Sequence, residues 1–177
     1  MNFPRIPLVA FLALVSVPAF AQTPAPTAPA APAPDWTLTG NVGLFSDYTF
    51  RGISQTNQKP ALQGGFDIAH SSGLYAGNWN SNVDSDLYNG ANLEMDFYGG
   101  FKATVGAFGF DVGGIYYYYP GTGSLRLPKI DHGEFYVGGS WGPLTAKYSY
   151  AVTDFFGVPD SDGASYFDLG FTYDVGS

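Results

Sequence analysis

The chain has 177 residues, and only 12% of them are charged, while aromatic residues reach 18%. Globular domains usually have a charged share of roughly 25%, so the composition is not that of an ordinary soluble surface. The formal net charge of −8 argues against nucleic-acid binding, and the absence of cysteine excludes disulfides and thiolate metal sites.

The first 35 residues are not expected to belong to the fold. Residues 1–21 combine Arg5, an apolar run and the sequence AFA, which is typical of a cleaved signal peptide. The apolar run is too short for a membrane-spanning helix, which needs about 20 residues. Residues 22–35 are rich in proline and alanine, and we predict that they form a linker. The mature protein is therefore expected outside the cytoplasm.

From residue 36 onward, apolar and polar side chains alternate with a period of two, which predicts β-strands. The alternating segments are residues 36–51, 62–68, 75–80, 92–102, 110–118, 134–141, 144–153 and 166–174. Tilted strands of about ten residues are long enough to cross a bilayer. We therefore predict an all-β fold, an antiparallel up-and-down transmembrane β-barrel that occupies residues 36–177.

The links between these segments support a bacterial outer-membrane location. Long links alternate with shorter ones: residues 52–60, 71–73, 84–91, 103–109, 120–132, 142–143 and 154–163. Outer-membrane barrels have short periplasmic turns and longer outer loops. We expect outer-membrane lipid to be the main partner of the protein, while its oligomeric state is left open.

The polar face of the predicted strands contains nine charged residues. They are Asp47, Arg51, Asp67, Glu94, Asp96, Asp111, Glu134, Lys147 and Asp168. A basic residue facing the bilayer midplane costs about 2–4 kcal/mol, so we expect this face to line an aqueous pore. The aromatic face, which includes Tyr48, Phe50 and Trp79, is then expected to contact lipid. Seven carboxylates against two basic groups predict a mild cation preference.

Arg51 ends the first predicted strand, within the sequence YTFRG of residues 48–52. We expect it at the outer mouth of the barrel, paired with Asp47 or with an acid on a neighbouring strand. Two interpretations remain open. Arg51 forms either a purely structural ion pair or part of a constriction that sorts solutes by charge.

The segment from Asn41 to Val83 resembles the opening of the TorF porin family of exported bacterial proteins. The resemblance rests on YTFRG, SQT, PALQGGFD and GLYAGNW, and it continues more loosely in LEMDFYGG and YFDLGFTYD. It implies an outer-membrane barrel and a pore without catalytic residues. Members of that family continue for several more strands, so we expect this chain to be part of a larger barrel.

The predicted function is passive diffusion of small hydrophilic solutes or ions through an outer-membrane porin, without a cofactor. The alternative is a non-conducting structural or ligand-binding barrel, lipocalin-like if it is soluble. A hydrolase built on Asp131, His132 and Ser140 is not favoured, because no nucleophile-elbow or oxyanion signature accompanies them. The acidic turns at residues 84–90 and 160–163 lack the closing glutamate of a calcium loop. We therefore predict neither an enzyme nor a metal site.

Overall fold

A computed structural model describes residues 34–123 and 128–173. The predicted signal peptide and residues 22–33 of the predicted linker lie outside this part of the chain. The described residues contain eight long strands and two short ones, with a single 3-10 turn at Phe155–Gly157. The strands are β1 (Trp36–Phe45), β2 (Thr49–Phe50), β3 (Ile53–Ser54), β4 (Ala61–His70), β5 (Leu74–Asn82), β6 (Leu93–Val105), β7 (Phe108–Tyr118), β8 (His132–Trp141), β9 (Leu144–Ala151) and β10 (Ser165–Phe171).

The eight long strands form one antiparallel sheet whose order follows the chain: β1, β4, β5, β6, β7, β8, β9, β10. The all-β prediction and the eight predicted strands are confirmed. Within the described residues, β1 pairs only with β4 and β10 only with β9, so no strand ladder closes the sheet. Closure into a barrel remains a prediction. No helix in the described part of the chain is long and apolar enough to cross a membrane.

The register places charged and large apolar side chains on opposite faces of the sheet. Directly paired residues share a face. One row of directly paired residues, which runs across the strands from β6 to β10, contains Lys102, Asp111, Gly138, Lys147 and Asp168. We call the face that carries this row the inner face. Large apolar side chains cover the other face, the outer face, where they are widely exposed, as with Leu38 (72%), Phe66 (66%), Phe135 (65%) and Phe167 (62%).

The predicted orientation of β5 is wrong. Trp79 pairs with Asp96, and Tyr75 lies on the same side as Trp79, so both project from the inner face. The Tyr75 hydroxyl donates a hydrogen bond to Asp111 Oδ1 at 2.6 Å, which an outward-facing tyrosine would not reach. The outer face of β5 instead carries asparagines whose amides bond to neighbouring backbone. Asn78 Nδ2 donates to the Asp96 carbonyl at 3.0 Å, and Asn80 Nδ2 to the Gly64 carbonyl at 3.2 Å.

The first predicted strand is also too long. β1 ends at Phe45, and residues 49–54 form the separate β2–β3 hairpin. The two residues of its turn, Arg51 (φ 46°) and Gly52 (φ 84°), are both left-handed, which is typical of a type I′ hairpin. The hairpin breaks the alternation, so Tyr48 and Phe50 pack against buried side chains and not toward lipid.

The buried core lies where the long links fold back against the inner face. We call this core the plug: Val83, Ala91, Tyr117, Tyr119 and Ile130, with Tyr48, Phe50, Tyr88, Ile115 and Phe156 packed against them. Phe156 lies at its centre, with ring-centroid distances of 5.3 Å to Tyr117, 6.0 Å to Tyr119 and 4.6 Å to His132. The long-link end of the inner face is therefore filled by aromatic side chains.

Candidate functional site

Arg51 forms a two-point ion pair with Glu134 of β8. Its Nη1 donates to Glu134 Oε1 at 2.8 Å and its Nη2 to Oε2 at 2.7 Å. The side chains are 15% and 3% exposed, so the pair is largely removed from water. His132, which is fully buried, places Nε2 3.0 Å from the same Glu134 carboxylate. Paired charge-assisted bonds of this kind are strong and directional, so Arg51 fixes the hairpin against β8.

Of the two partners expected for Arg51, Asp47 is wrong, and the partner is an acid on another strand, Glu134. Asp47 lies between β1 and β2, where it accepts hydrogen bonds from Ser54 Oγ at 2.6 Å and Thr56 Oγ1 at 2.8 Å. These hydroxyl donors hold the pKa of Asp47 below its usual range, because they favour the charged carboxylate. Asp47 therefore stabilises the hairpin from within, while the partner of Arg51 comes from a distant strand.

Arg51 also contacts β10, the last strand in the sheet order. Its guanidinium carbon lies 4.7 Å from the Phe50 ring centroid and 4.4 Å from that of Tyr166 on β10. The hydroxyls of Tyr75 on β5 and Tyr136 on β8 lie 2.5 Å apart, although three strand spacings separate these strands, about 14 Å in a flat sheet. The sheet therefore curves toward the hairpin, with the inner face on its concave side.

Glu94 of β6 is held by two tyrosines of the plug. The Tyr48 hydroxyl donates to Oε1 at 2.7 Å and the Tyr119 hydroxyl to Oε2 at 2.6 Å. Burial and the nearby Glu94 carboxylate raise the pKa of both tyrosines, so they remain protonated donors. Asp96 lies two residues further along the same face and is 6% exposed. Within the described residues, its Oδ1 has no hydrogen-bond partner.

Tyrosines also orient the carboxylates nearer the middle of the sheet. The Tyr98 hydroxyl donates to Asp67 Oδ1 at 2.6 Å, across two strands. The Tyr75 hydroxyl, which donates to Asp111, also lies 2.5 Å from the Tyr136 hydroxyl. The predicted site residues on strands are therefore brought to one face of the sheet: Asp67, Glu94, Asp96, Asp111, Glu134, Lys147 and Asp168.

Lys102 was missed as a site residue. It pairs with Asp111 in the register and lies on the inner face, 4.5 Å from the Tyr75 ring centroid. The sequence could have predicted this position, because Lys102 is an even number of residues from Glu94 and Asp96 and therefore lies on the same face of β6. Lys102 and Lys147 both lie at the level near the short turns, whereas Glu94, Asp96 and Glu134 lie toward the plug. Charge is therefore unevenly distributed along the inner face.

The hydrolase residues are not brought together. Asp131 accepts hydrogen bonds from the Tyr119 backbone N–H at 3.0 Å and from Lys129 Nζ at 2.8 Å, and His132 contacts Glu134 instead. Ser140 lies at the far end of β8 from His132, about 27 Å away along the strand. This geometry does not form a nucleophile–base pair.

The comparison with known proteins identifies a family without an assigned activity. Residues 29–177 match a family described as "Bacterial protein of unknown function (Gcw_chp)". No curated protein and no solved structure matches the chain. The matched region includes every described strand, while the narrower resemblance to TorF porins remains a prediction. The chain belongs to the Gcw_chp family of bacterial proteins.

Proposed function

We propose that this protein forms the wall of an outer-membrane β-barrel that lets small hydrophilic solutes or ions diffuse passively, with a mild preference for cations. The observation that carries the proposal is the segregation of the sheet into two chemically distinct faces. One face is apolar and exposed, and the opposite face holds the ionisable side chains of the strands.

Lipid is the environment that fits the outer face. Exposed apolar side chains such as Val42 (79% exposed), Leu44 (75%) and Leu169 (69%) lie on this face from β1 to β10, with the asparagines of β5 as the exception. Apolar patches on soluble monomers rarely exceed a few hundred Å², and an apolar face that extends over the sheet on both sides of the β5 asparagines is larger. Tyr116 and Tyr118 at one end, with Phe108 and Trp141 at the other, match the aromatic girdles of outer-membrane barrels.

The curvature argues against the lipocalin-like alternative. A lipocalin-like barrel turns its apolar side chains toward the concave side, where they enclose a ligand. Here the concave side holds the hairpin, the plug and the charged residues, while the apolar face is convex. The open edges of β1 and β10 would need partners in hydrocarbon, which supports closure of the sheet in the membrane.

The inner face is suited to an aqueous path that is narrowed at its long-link end. The carboxylates outnumber the basic groups, even when Lys102 is added to Arg51 and Lys147. Fixed negative charges along a narrow path favour cations. Arg51 is paired with Glu134 and positions the hairpin, which supports the structural interpretation of Arg51. The charge-sorting constriction stays a prediction.

Planar-bilayer recording on the refolded full chain tests this proposal. We expect stepwise conductance and a reversal potential in a KCl gradient that indicates a mild preference for K⁺. Protein kept unfolded in urea is the control and is expected to give no steps. Absence of conductance from correctly folded protein would favour the structural barrel, and a preference for Cl⁻ would contradict the charge argument.

A further inference from the structure

We propose that the inner face near the short turns contains a binding site for a small oxyanion, the carboxylate or phosphate group of a solute. The site combines the ammonium groups of Lys102 and Lys147 with the hydroxyls of Thr104 and Ser140 around one open cavity. The inference rests on the proposed function in one respect, because a solute would reach this cavity through the interior.

The cavity has a volume of about 360 Å³. Its polar lining comes from Lys102, Thr104, Asp111, Ser140 and Lys147. Gly138 stands between Asp111 and Lys147 in the register, and the absence of a side chain there leaves open space between two charged groups. The register therefore creates room for a small solute beside the lysines.

Among the described residues, Lys147 forms no ion pair, and Lys102 forms only a long one, with Asp111. Lys147 Nζ lies over the Tyr136 ring, 3.9 Å from its centroid, and forms no ion pair there. Lys102 Nζ lies 4.5 Å from the Tyr75 ring centroid and 3.9 Å from Asp111 Oδ2, a loose contact. A tyrosine ring attracts an ammonium group without removing its charge. The ammonium group of Lys147 is therefore free to bind an anion, and that of Lys102 can exchange its long contact with Asp111 for one.

The acidic groups near the cavity either accept a hydrogen bond from another residue or lie away from the cavity. Asp111 Oδ1 accepts the Tyr75 hydroxyl at 2.6 Å. Asp168 pairs with Lys147 in the register of β9 and β10, but it is exposed and lies on the far side of Lys147 from the cavity. Two lysines and two hydroxyl residues thus line the same space, and each can donate a hydrogen bond to a bound oxyanion. Ammonium groups bind carboxylate and phosphate as point charges, which defines the expected ligand class.

Isothermal titration of the detergent-folded full chain with sodium phosphate, sodium acetate and sodium chloride tests the site. We expect saturable binding of phosphate or acetate and none of chloride, and the two oxyanion titrations identify which group is preferred. Lys102→Met and Lys147→Met are each expected to weaken binding about tenfold, because each removes one charge-assisted hydrogen bond. The matched control is Lys59→Met, which removes a loop lysine that is paired with Asp84 and should bind as the unchanged protein does.

Two results would overturn the inference. One is the absence of saturable binding of either oxyanion up to about 10 mM. The other is unchanged affinity in both Lys102→Met and Lys147→Met, with folding of each variant verified by heat-modifiable migration. Binding is measured without conduction, so the two proposals can fail separately. A protein that conducts but does not bind overturns only this site, and one that binds but does not conduct overturns only the pore.

Discussion

Replacing Arg51 with glycine is expected to destabilise the fold, although glycine suits the turn better. Loss of one partner from a buried ion pair costs about 3–5 kcal/mol, and the retained contact between His132 and Glu134 favours the lower value. Arg51 has φ 46°, and relief of a left-handed non-glycine residue returns about 1–2 kcal/mol. The net loss in the free energy of unfolding is therefore about 2 kcal/mol.

Urea unfolding of protein inserted in phospholipid vesicles, followed by tryptophan fluorescence, measures this loss. The double variant Arg51→Gly with Glu134→Gln is expected to recover part of it, because no unpaired carboxylate is then left in a buried position. Asp160→Gly is the matched control, since Asp160 also has a left-handed backbone (φ 59°) but lies in an exposed turn. An Arg51→Gly protein as stable as the unchanged chain, or a double variant no more stable than Arg51→Gly, would refute the reasoning.

Three further predictions follow from the two faces, the loops and the plug. In single-tryptophan variants, brominated lipid is expected to quench Trp141 strongly and Trp79 weakly, because they occupy opposite faces; equal quenching would contradict that assignment. The Lys59 hydrogen bond holds the pKa of Asp84 below its usual range, so the pair stabilises the loops above the ordinary aspartate value of 3.8 and is lost as the pH falls through the lower folded-state value. Protease cleavage of residues 46–60 should increase over that acid range in the unchanged chain, while Asp84→Asn should be cleaved readily throughout; identical profiles would argue against the pair. Phe156→Ala is expected to lower the free energy of unfolding by about 2 kcal/mol, since its half-buried ring packs against Tyr117 and His132, whereas Val158→Ala, at an exposed position, should change little.

The strands could be predicted from the sequence because each one separates a wet side from an apolar side. That contrast repeats along β7, where Phe110 and Val112 alternate with Asp111 and Gly113, and the register confirms it. β5 shows where the signal fails. Tyr75 and Trp79 are amphipathic, so their large rings read as apolar even though their polar tips suit the inner face. The asparagines on the outer face led to the opposite error. They were interpreted as facing water, although their amides bond to the backbone.

The contacts of the candidate site were harder to predict because they depend on curvature. Arg51 and Glu134 are 83 residues apart, and they meet only because the hairpin crosses the concave side of the sheet. The alternation of YTFRG continued that of β1 and hid the turn, although Gly52 marked a position where a left-handed backbone is easily adopted. The inner-face position of Lys102 could have been predicted without tertiary information, from the alternation along β6 alone.

The separation of the two faces is tested most directly by the reactivity of single cysteines. The chain has no cysteine of its own, so each introduced thiol reports on one position. We propose Asp111→Cys and Lys147→Cys on the inner face, with Phe110→Cys and Tyr148→Cys as their outer-face neighbours, in protein refolded into lipid vesicles. A charged, membrane-impermeant thiol reagent is expected to modify positions 111 and 147 and to spare positions 110 and 148. Modification of the outer pair with protection of the inner pair would contradict the account.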